Sequence, residues 1–288
     1  MVLLDKVTIA ELQRRKRAGE KLTMLTAYDY PMAKLVDEAG VDIVLVGDSL
    51  GMVVLGYDST APVTMEEMLH HAKAARRGVS RAMLIGDMPL LSLQGTAEES
   101  VKNAARFIHE AGCEAIKLEW KPNIEQAARA MANAGIPVMG HVGLTPQTAA
   151  GEGGYGVRGK DAESAVRILG QAVALQEAGC FAMVLECVPD VVAQEITIRL
   201  QIPTFGIGSG PYCNGQVLVT YDLIGLYDRL RPRFVKRYAD VAPMIRQAAA
   251  AYVQEVRSGT FPGKEQTTAM APTELAKFRH EVSSRRAS

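Results

Sequence analysis

Five polar residues recur at matching places along the chain: Asp48, Asp87, Glu119, His141 and Glu186. Each follows a short apolar run, and each run follows a helix-like stretch closed by glycine. The closing pairs are Ala39-Gly40, Arg77-Gly78, Ala111-Gly112, Ala134-Gly135 and Ala178-Gly179. The runs are Ile43–Val46, Ala82–Ile85, Ala115–Leu118, Pro137–Met139 and Ala182–Leu185. Carboxylates and imidazoles are the groups that bind cations or move protons. Strand-sized runs alternating with glycine-ended helices imply right-handed βαβ units in a parallel sheet. Ligands bind at the carboxyl ends of such strands. The repeat therefore predicts one site.

Asp48, Asp87 and Glu119 would repel one another in a shared pocket unless a divalent cation neutralised them. All-oxygen donors suit magnesium, manganese or calcium and argue against zinc. Lys117 interrupts an apolar strand two residues before Glu119, so the two share a face. A lysine there is costly unless paired. It would hold a carboxylate substrate or one of the acids; a Schiff-base amine and a purely structural lysine are the other readings. Glu186 falls across a barrel from the three acids, which leaves it free as a general base beside apolar Leu185 and Val188. His141, in Gly140-His141-Val142-Gly143, fits a substrate-binding or ligand-orienting group, and equally a satisfied core histidine. His70 and His71 read as structural or surface residues.

Two glycine-rich stretches remain. The loop from Gly143 to Lys160 has neither P-loop spacing nor the strand-turn-helix setting of a dinucleotide fingerprint, and reads as a lid or oligomer loop at the catalytic face. Gly206-Ile207-Gly208-Ser209-Gly210 reads as an anion cradle or a plain tight turn.

The elements that must position these residues are legible in order. Thr8 and Glu11 form a capping box, so a first helix runs over Thr8–Ala18. Strands are predicted at Leu22–Thr26, Ile43–Val46, Ala82–Ile85, Ala115–Leu118, Val138–Met139, Met183–Leu185, Pro203–Gly206 and Gln216–Val219. Helices begin at Pro31, Thr64, Thr96, Ile124, Asp161 and Val191, and a terminal one covers Ala239–Arg257. Eight strands with intervening helices match an α/β fold, a (β/α)8 TIM barrel with an extra N-terminal helix; an open doubly wound sheet is the rival. The domain reading is one catalytic barrel over 1–262 and a tail over 263–288, disordered or an oligomer arm.

The 288 residues suit one barrel of roughly 250 residues. Thirty-two basic and 32 acidic residues balance, which gives no reason to expect nucleic acid or a membrane surface. No apolar run approaches the ~20 residues of a membrane span, and Met1–Lys6 is too short for a signal core. Cys113, Cys180, Cys187 and Cys213 form no C-x-x-C pair and read as reduced, buried thiols. The expected location is the cytoplasm.

Collinear stretches carry a resemblance. They are Thr26-Ala27-Tyr28-Asp29, Val46-Gly47-Asp48-Ser49-Leu50-Gly51-Met52-Val53 with Gly56-Tyr57, and Gly86-Asp87-Met88-Pro89. They continue with Lys117-Leu118-Glu119, Gly140-His141-Val142-Gly143-Leu144-Thr145-Pro146-Gln147, Glu186-Cys187-Val188-Pro189 and Gly206-Ile207-Gly208. From about Thr8 to Pro262 the chain resembles the ketopantoate hydroxymethyltransferase family. The resemblance implies a magnesium-dependent (β/α)8 barrel that assembles as a homodecamer. It implies hydroxymethyl transfer from 5,10-methylenetetrahydrofolate to 3-methyl-2-oxobutanoate through a magnesium-stabilised enolate, giving 2-dehydropantoate for pantothenate biosynthesis. It assigns Asp48, Asp87 and Glu119 to the metal, Asp48, Ser49, Asp87 and Lys117 to the 2-oxo acid, and Glu186 to proton acceptance. A magnesium-dependent lyase or mutase of the phosphoenolpyruvate mutase and isocitrate lyase type is the alternative. Trp120, Ser209 and Asn214 depart from the family's usual glycine, alanine and aspartate, and Trp120 is expected to narrow the pocket.

Overall fold

The computed structural model describes residues 5–285. The expectations for Met1–Lys6 and for 263–288 fall partly outside them. Eight parallel strands close on themselves in sequence order, β1 pairing with both β2 and β8. Closure excludes the open doubly wound sheet. The strands are β1 (Leu22–Thr26), β2 (Ile43–Val46), β3 (Met83–Asp87), β4 (Ala115–Glu119), β5 (Val138–Gly143), β6 (Ala182–Glu186), β7 (Thr204–Ile207) and β8 (Gly215–Leu218).

Helix α1 (Ile9–Ala18) starts where the Thr8 side chain accepts from the Glu11 amide. Helices α2 (Tyr30–Glu38), α3 (Leu50–Val53), α4 (Met65–Arg76), α5 (Ala97–His109), α6 (Ile124–Asn133), α7 (Ala162–Glu177), α8 (Asp190–Arg199) and α9 (Thr220–Leu223) follow. Thr64–Glu67 and Thr96–Glu99 are reciprocal capping boxes, which satisfy first-turn amides that otherwise lack partners. Four of the five repeat glycines, Gly40, Gly112, Gly135 and Gly179, are left-handed, as helix-ending glycines are. Gly78 differs: a Cβ there would meet the Tyr30 carbonyl at 2.5 Å, so close approach to α2 requires it. No helix separates β7 from β8, where a pattern of one helix per strand would put one.

Alternation along each strand sorts the core into two layers. Outward residues such as Val44, Leu84, Ile116, Val138 and Met183 pack with the helices. Inward residues, including Met24, Ile43, Leu45, Ile85, Met139 and Phe205, fill the barrel together with Val7 and Leu12 from the N-terminal segment. A filled barrel is a packed core rather than a pore. Val7 donates its amide to Arg81 O at 2.9 Å, and Lys6 Nζ bonds Ala82 O at 2.6 Å. The N-terminal segment thus ties itself to the start of β3.

The described chain divides into two compact units, 5–239 and 240–285, a division that differs from the expected one at 262. The second holds α10 (Val241–Ser258) and α11 (Pro272–Arg285). Much of the expected tail is therefore helical. None of the residues of α10 is buried, although Met244, Ile245, Tyr252, Val253 and Val256 are among them. Among the described residues no helix is long and apolar enough to cross a membrane. All four cysteines are buried and unbridged. Burial pushes Cys113, Cys180 and Cys187 up to about 12, which keeps these thiols protonated.

Candidate active site

Strand register assembles the site. Asp87 pairs with Lys117 across β3 and β4, Glu119 with His141 across β4 and β5, and Gly143 with Glu186 across β5 and β6. Neighbours in register point the same way, so these side chains stand side by side at the carboxyl end of the barrel. Asp48, two residues beyond β2, joins them. All seven expected residues, Asp48, Ser49, Asp87, Lys117, Glu119, His141 and Glu186, line one cavity of about 430 Å³.

Lys117 Nζ bonds both Asp87 oxygens at 2.7 and 2.8 Å and lies 3.9 Å from Glu119 Oε1. Burial works against its charge, but Asp87, Glu119 and Asp48 outweigh it and hold the ammonium above the usual lysine range. Burial and the charge of Asp87 push Asp48 up to about 7, with Lys117 and Gln147 opposing. Burial likewise raises Glu119 well above the usual carboxylate range, against Lys117, with Asp48, Asp87 and Glu186 adding to the rise. The shared cause is charge imbalance: three buried carboxylates face one ammonium. That donor set suits a hard divalent cation. As placed, no three His, Cys, Asp or Glu side chains among the described residues form a ready metal cage. Magnesium rarely needs one, since it takes one or two carboxylates and fills the rest with water and substrate oxygens.

His141 is a wedge between the acids. Its Nδ1 is 3.6 Å from Glu119 Oε1 and its Nε2 is 3.3 Å from Glu186 Oε2. Neither nitrogen makes a hydrogen bond, although the residue is 1% exposed. Glu186 is the most open of the acids, its side chain 16% exposed. Its backbone is held from both sides. Leu144 donates to Glu186 O at 2.8 Å, and a Cβ on Gly143 (φ +99°) would meet that same oxygen at 2.3 Å. Cys187, the next residue, has φ 48°, an uncommon conformation of the kind that clusters at functional sites.

Ser49 Oγ is 2.9 Å from the Tyr28 hydroxyl. Residues beyond these seven extend the site. Gln147 donates from Nε2 to Asp48 Oδ2 at 2.8 Å and to Met88 O at 2.9 Å, and from its amide to Glu119 Oε2 at 3.1 Å. It lies in the recognised Gly140–Gln147 run, but only the chain's return after β5 reveals its contacts. Tyr155, Gly156 and Val157 bring the glycine loop to the cavity wall, and Asp222, Tyr227, Arg233 and Phe234 form another wall.

Several expectations resolve differently. Trp120 packs against the outer core and is absent from the cavity lining, so it does not narrow the pocket. Ser209 Oγ donates to Leu185 O at 2.8 Å and accepts from the Val188 amide at 3.3 Å. Asn214 Oδ1 accepts from Lys16 Nζ and the Thr204 amide at 3.2 and 3.0 Å. Both departures are structural. In the Gly206–Gly210 turn, a Cβ on Gly208 would meet Phe234 at 2.7 Å, so close approach to that ring requires the glycine. His71 Nδ1 lies 2.7 Å from Tyr28 O, a structural contact. Ser209→Ala is expected to cost about 1 kcal/mol in urea unfolding, with the steady-state constants unchanged; an altered KM for the 2-oxo acid would contradict the structural role.

A closed eight-stranded parallel barrel with acids and a lysine buried at its carboxyl mouth defines a (β/α)8-barrel enzyme. Solved structures of similar fold include phosphonopyruvate hydrolase in complex with oxalate and Mg++ (TM-score 0.58, 14% identity, 96% of each chain). A putative phosphonomutase from Burkholderia cenocepacia is another (TM-score 0.61, 15% identity, 87% of this chain and all of that one). Identity this low speaks for the fold alone. The sequence profile of the ketopantoate hydroxymethyltransferase family matches residues 6–264. The chain belongs to that family. It is 53% identical to the 3-methyl-2-oxobutanoate hydroxymethyltransferase of Carboxydothermus hydrogenoformans, over 96% of this chain and 100% of the relative. It is 52% identical to that of Heliobacterium modesticaldum, over 93% and 97%.

Proposed function

We propose that this chain joins the methylene carbon of 5,10-methylenetetrahydrofolate to C3 of 3-methyl-2-oxobutanoate, with one water supplying the hydroxyl, giving 2-dehydropantoate and tetrahydrofolate in pantothenate biosynthesis. Membership of the family over nearly the whole barrel carries the reading. The intact, buried set of Asp48, Asp87, Lys117, Glu119 and Glu186 supports it. No observation favours the lyase or mutase alternative, whose structural relatives share only the fold.

In this reading Lys117 and Ser49 hold the anionic end of the 2-oxo acid, with Asp48 and Asp87 beside it. Glu186 takes the C3 proton, being the most open carboxylate on the opposite wall. His141, buried against Glu186, orients it and binds substrate. Asp48, Asp87 and Glu119 would hold magnesium, directly or through water. When bound, that ion supplies Lewis-acid stabilisation of negative charge developing on the keto oxygen. These placements set the reacting carbon near Glu186. Assembly as a homodecamer in the cytoplasm completes the proposal; the exposed apolar residues of α10 support self-association.

Removing divalent metal is expected to abolish turnover, and magnesium to restore it. Retained activity after chelation would overturn the metal assignment. The pH behaviour of metal-free protein follows from Asp48. Its folded value of about 7 lies above its ordinary 3.8, so between these the folded state keeps a proton that the unfolded chain has released. Stability from this group is full below about 4 and lost as pH rises to 7. Magnesium binds the deprotonated form, so its stabilisation should be larger at pH 8 than at pH 6 in thermal melts. Equal shifts at both would contradict it.

A further inference from the structure

The cavity is larger than a five-carbon 2-oxo acid needs; about 430 Å³ is the range of drug-sized ligands. Its polar floor is spoken for by the acids, Lys117 and His141. One carboxylate in its lining has no assigned task. Asp222 sits on α9, just after β8, and lines the same cavity. It is half-buried. No described residue donates it a hydrogen bond or forms an ion pair with it. Burial pushes it up to about 6, against the charge of Arg237. A carboxylate placed so is costly unless a ligand supplies donors. Tyr155, Tyr227 and Phe234 line the same cavity, and Tyr227 stands near enough to Asp222 to feel its charge. Arg233, exposed at the same wall, has no hydrogen-bond or ion-pair partner among the described residues.

We propose that Asp222 reads the 2-amino-4-oxopyrimidine edge of a reduced pterin, with the aromatic wall beside the aminobenzoyl ring and Arg233 meeting the glutamate carboxylates. This rests on the hydroxymethyltransferase reading and places its second substrate. The chemistry is complementary. The pterin edge presents an N3–H and a 2-amino N–H as parallel donors, and a carboxylate presents two acceptors at matching spacing. The aromatic rings offer flat apolar faces to the aminobenzoyl group. Arginine at the rim suits carboxylates that stay in solvent.

The test uses steady-state kinetics of the full chain with magnesium. Asp222→Asn replaces one acceptor with a donor that faces the pterin's own donors. It is expected to raise KM for 5,10-methylenetetrahydrofolate about 10- to 100-fold, leaving KM for 3-methyl-2-oxobutanoate near its wild-type value. That retained KM also shows the variant is folded. A folate analogue with the 2-amino group replaced by methyl should suffer a similar penalty with wild type and little further penalty with Asp222→Asn. An unchanged folate KM in the variant, or the same analogue penalty in both proteins, overturns this proposal alone. Wild-type protein that transfers no hydroxymethyl group from the folate overturns the activity reading and this one with it.

Discussion

Glu186→Gln is expected to lower kcat by about 10²- to 10⁴-fold with little change in KM for 3-methyl-2-oxobutanoate. Glutamine keeps the size of the side chain and its contact with His141 but accepts no proton from carbon. Exchange of the substrate C3 proton with solvent deuterium isolates this step from folate chemistry. Exchange at the wild-type rate in the variant would remove Glu186 from the role of base. The backbone geometry makes the prediction specific to the side chain. The Glu186 carbonyl is fixed by the Leu144 amide at 2.8 Å and crowded by Gly143, so an isosteric change leaves the strand end in place.

Lys117→Met should be the most damaging substitution for stability. Lys117 and Asp87 are 6% and 2% exposed at their side chains, joined by two hydrogen bonds. Removing one partner of a buried pair strands the other, which typically costs about 3–5 kcal/mol. Magnesium-free urea unfolding measures it. The double variant Lys117→Met with Asp87→Asn should recover part of the loss, because the carboxylate bonded directly to Lys117 is gone while Asp48 and Glu119 stay without their compensating charge. A double variant as unstable as the single one would show that methionine's shape, not charge, is the cause. Both variants should be inactive, since each removes a group that holds the substrate.

The scaffold was legible because its physics is local. β1 and β2 run as the apolar pattern predicts, and the capped helices begin within a residue of their threonines. Strand ends were less so: β5 runs to Gly143 rather than Met139, since glycine and histidine at its end carry no apolar signal. The acids and Lys117 were legible because charge in a buried strand is costly and therefore informative. Gln147 and Asp222 were not. An amide in a loop and an acid after a short strand look like ordinary surface residues until chain return sets Gln147 against Asp48 and Glu119 and Asp222 in the cavity lining. The helix at Pro272–Arg285 hid behind a polar composition in which none of its residues is buried.

The packed barrel interior has a kinetic consequence. Val7, Leu12 and the inward layers stop up the end opposite the acids, so the barrel axis offers no second exit. Whatever reaches Lys117 does so through the cavity at the carboxyl end, whose lining includes Tyr155, Tyr227 and Phe234. With the substrates placed as proposed above, the small acid on the floor is expected to arrive before the bulky folate covers it, and the enlarged acid to depart after the spent folate has gone. Compulsory order, first in and last out, follows from a single doorway.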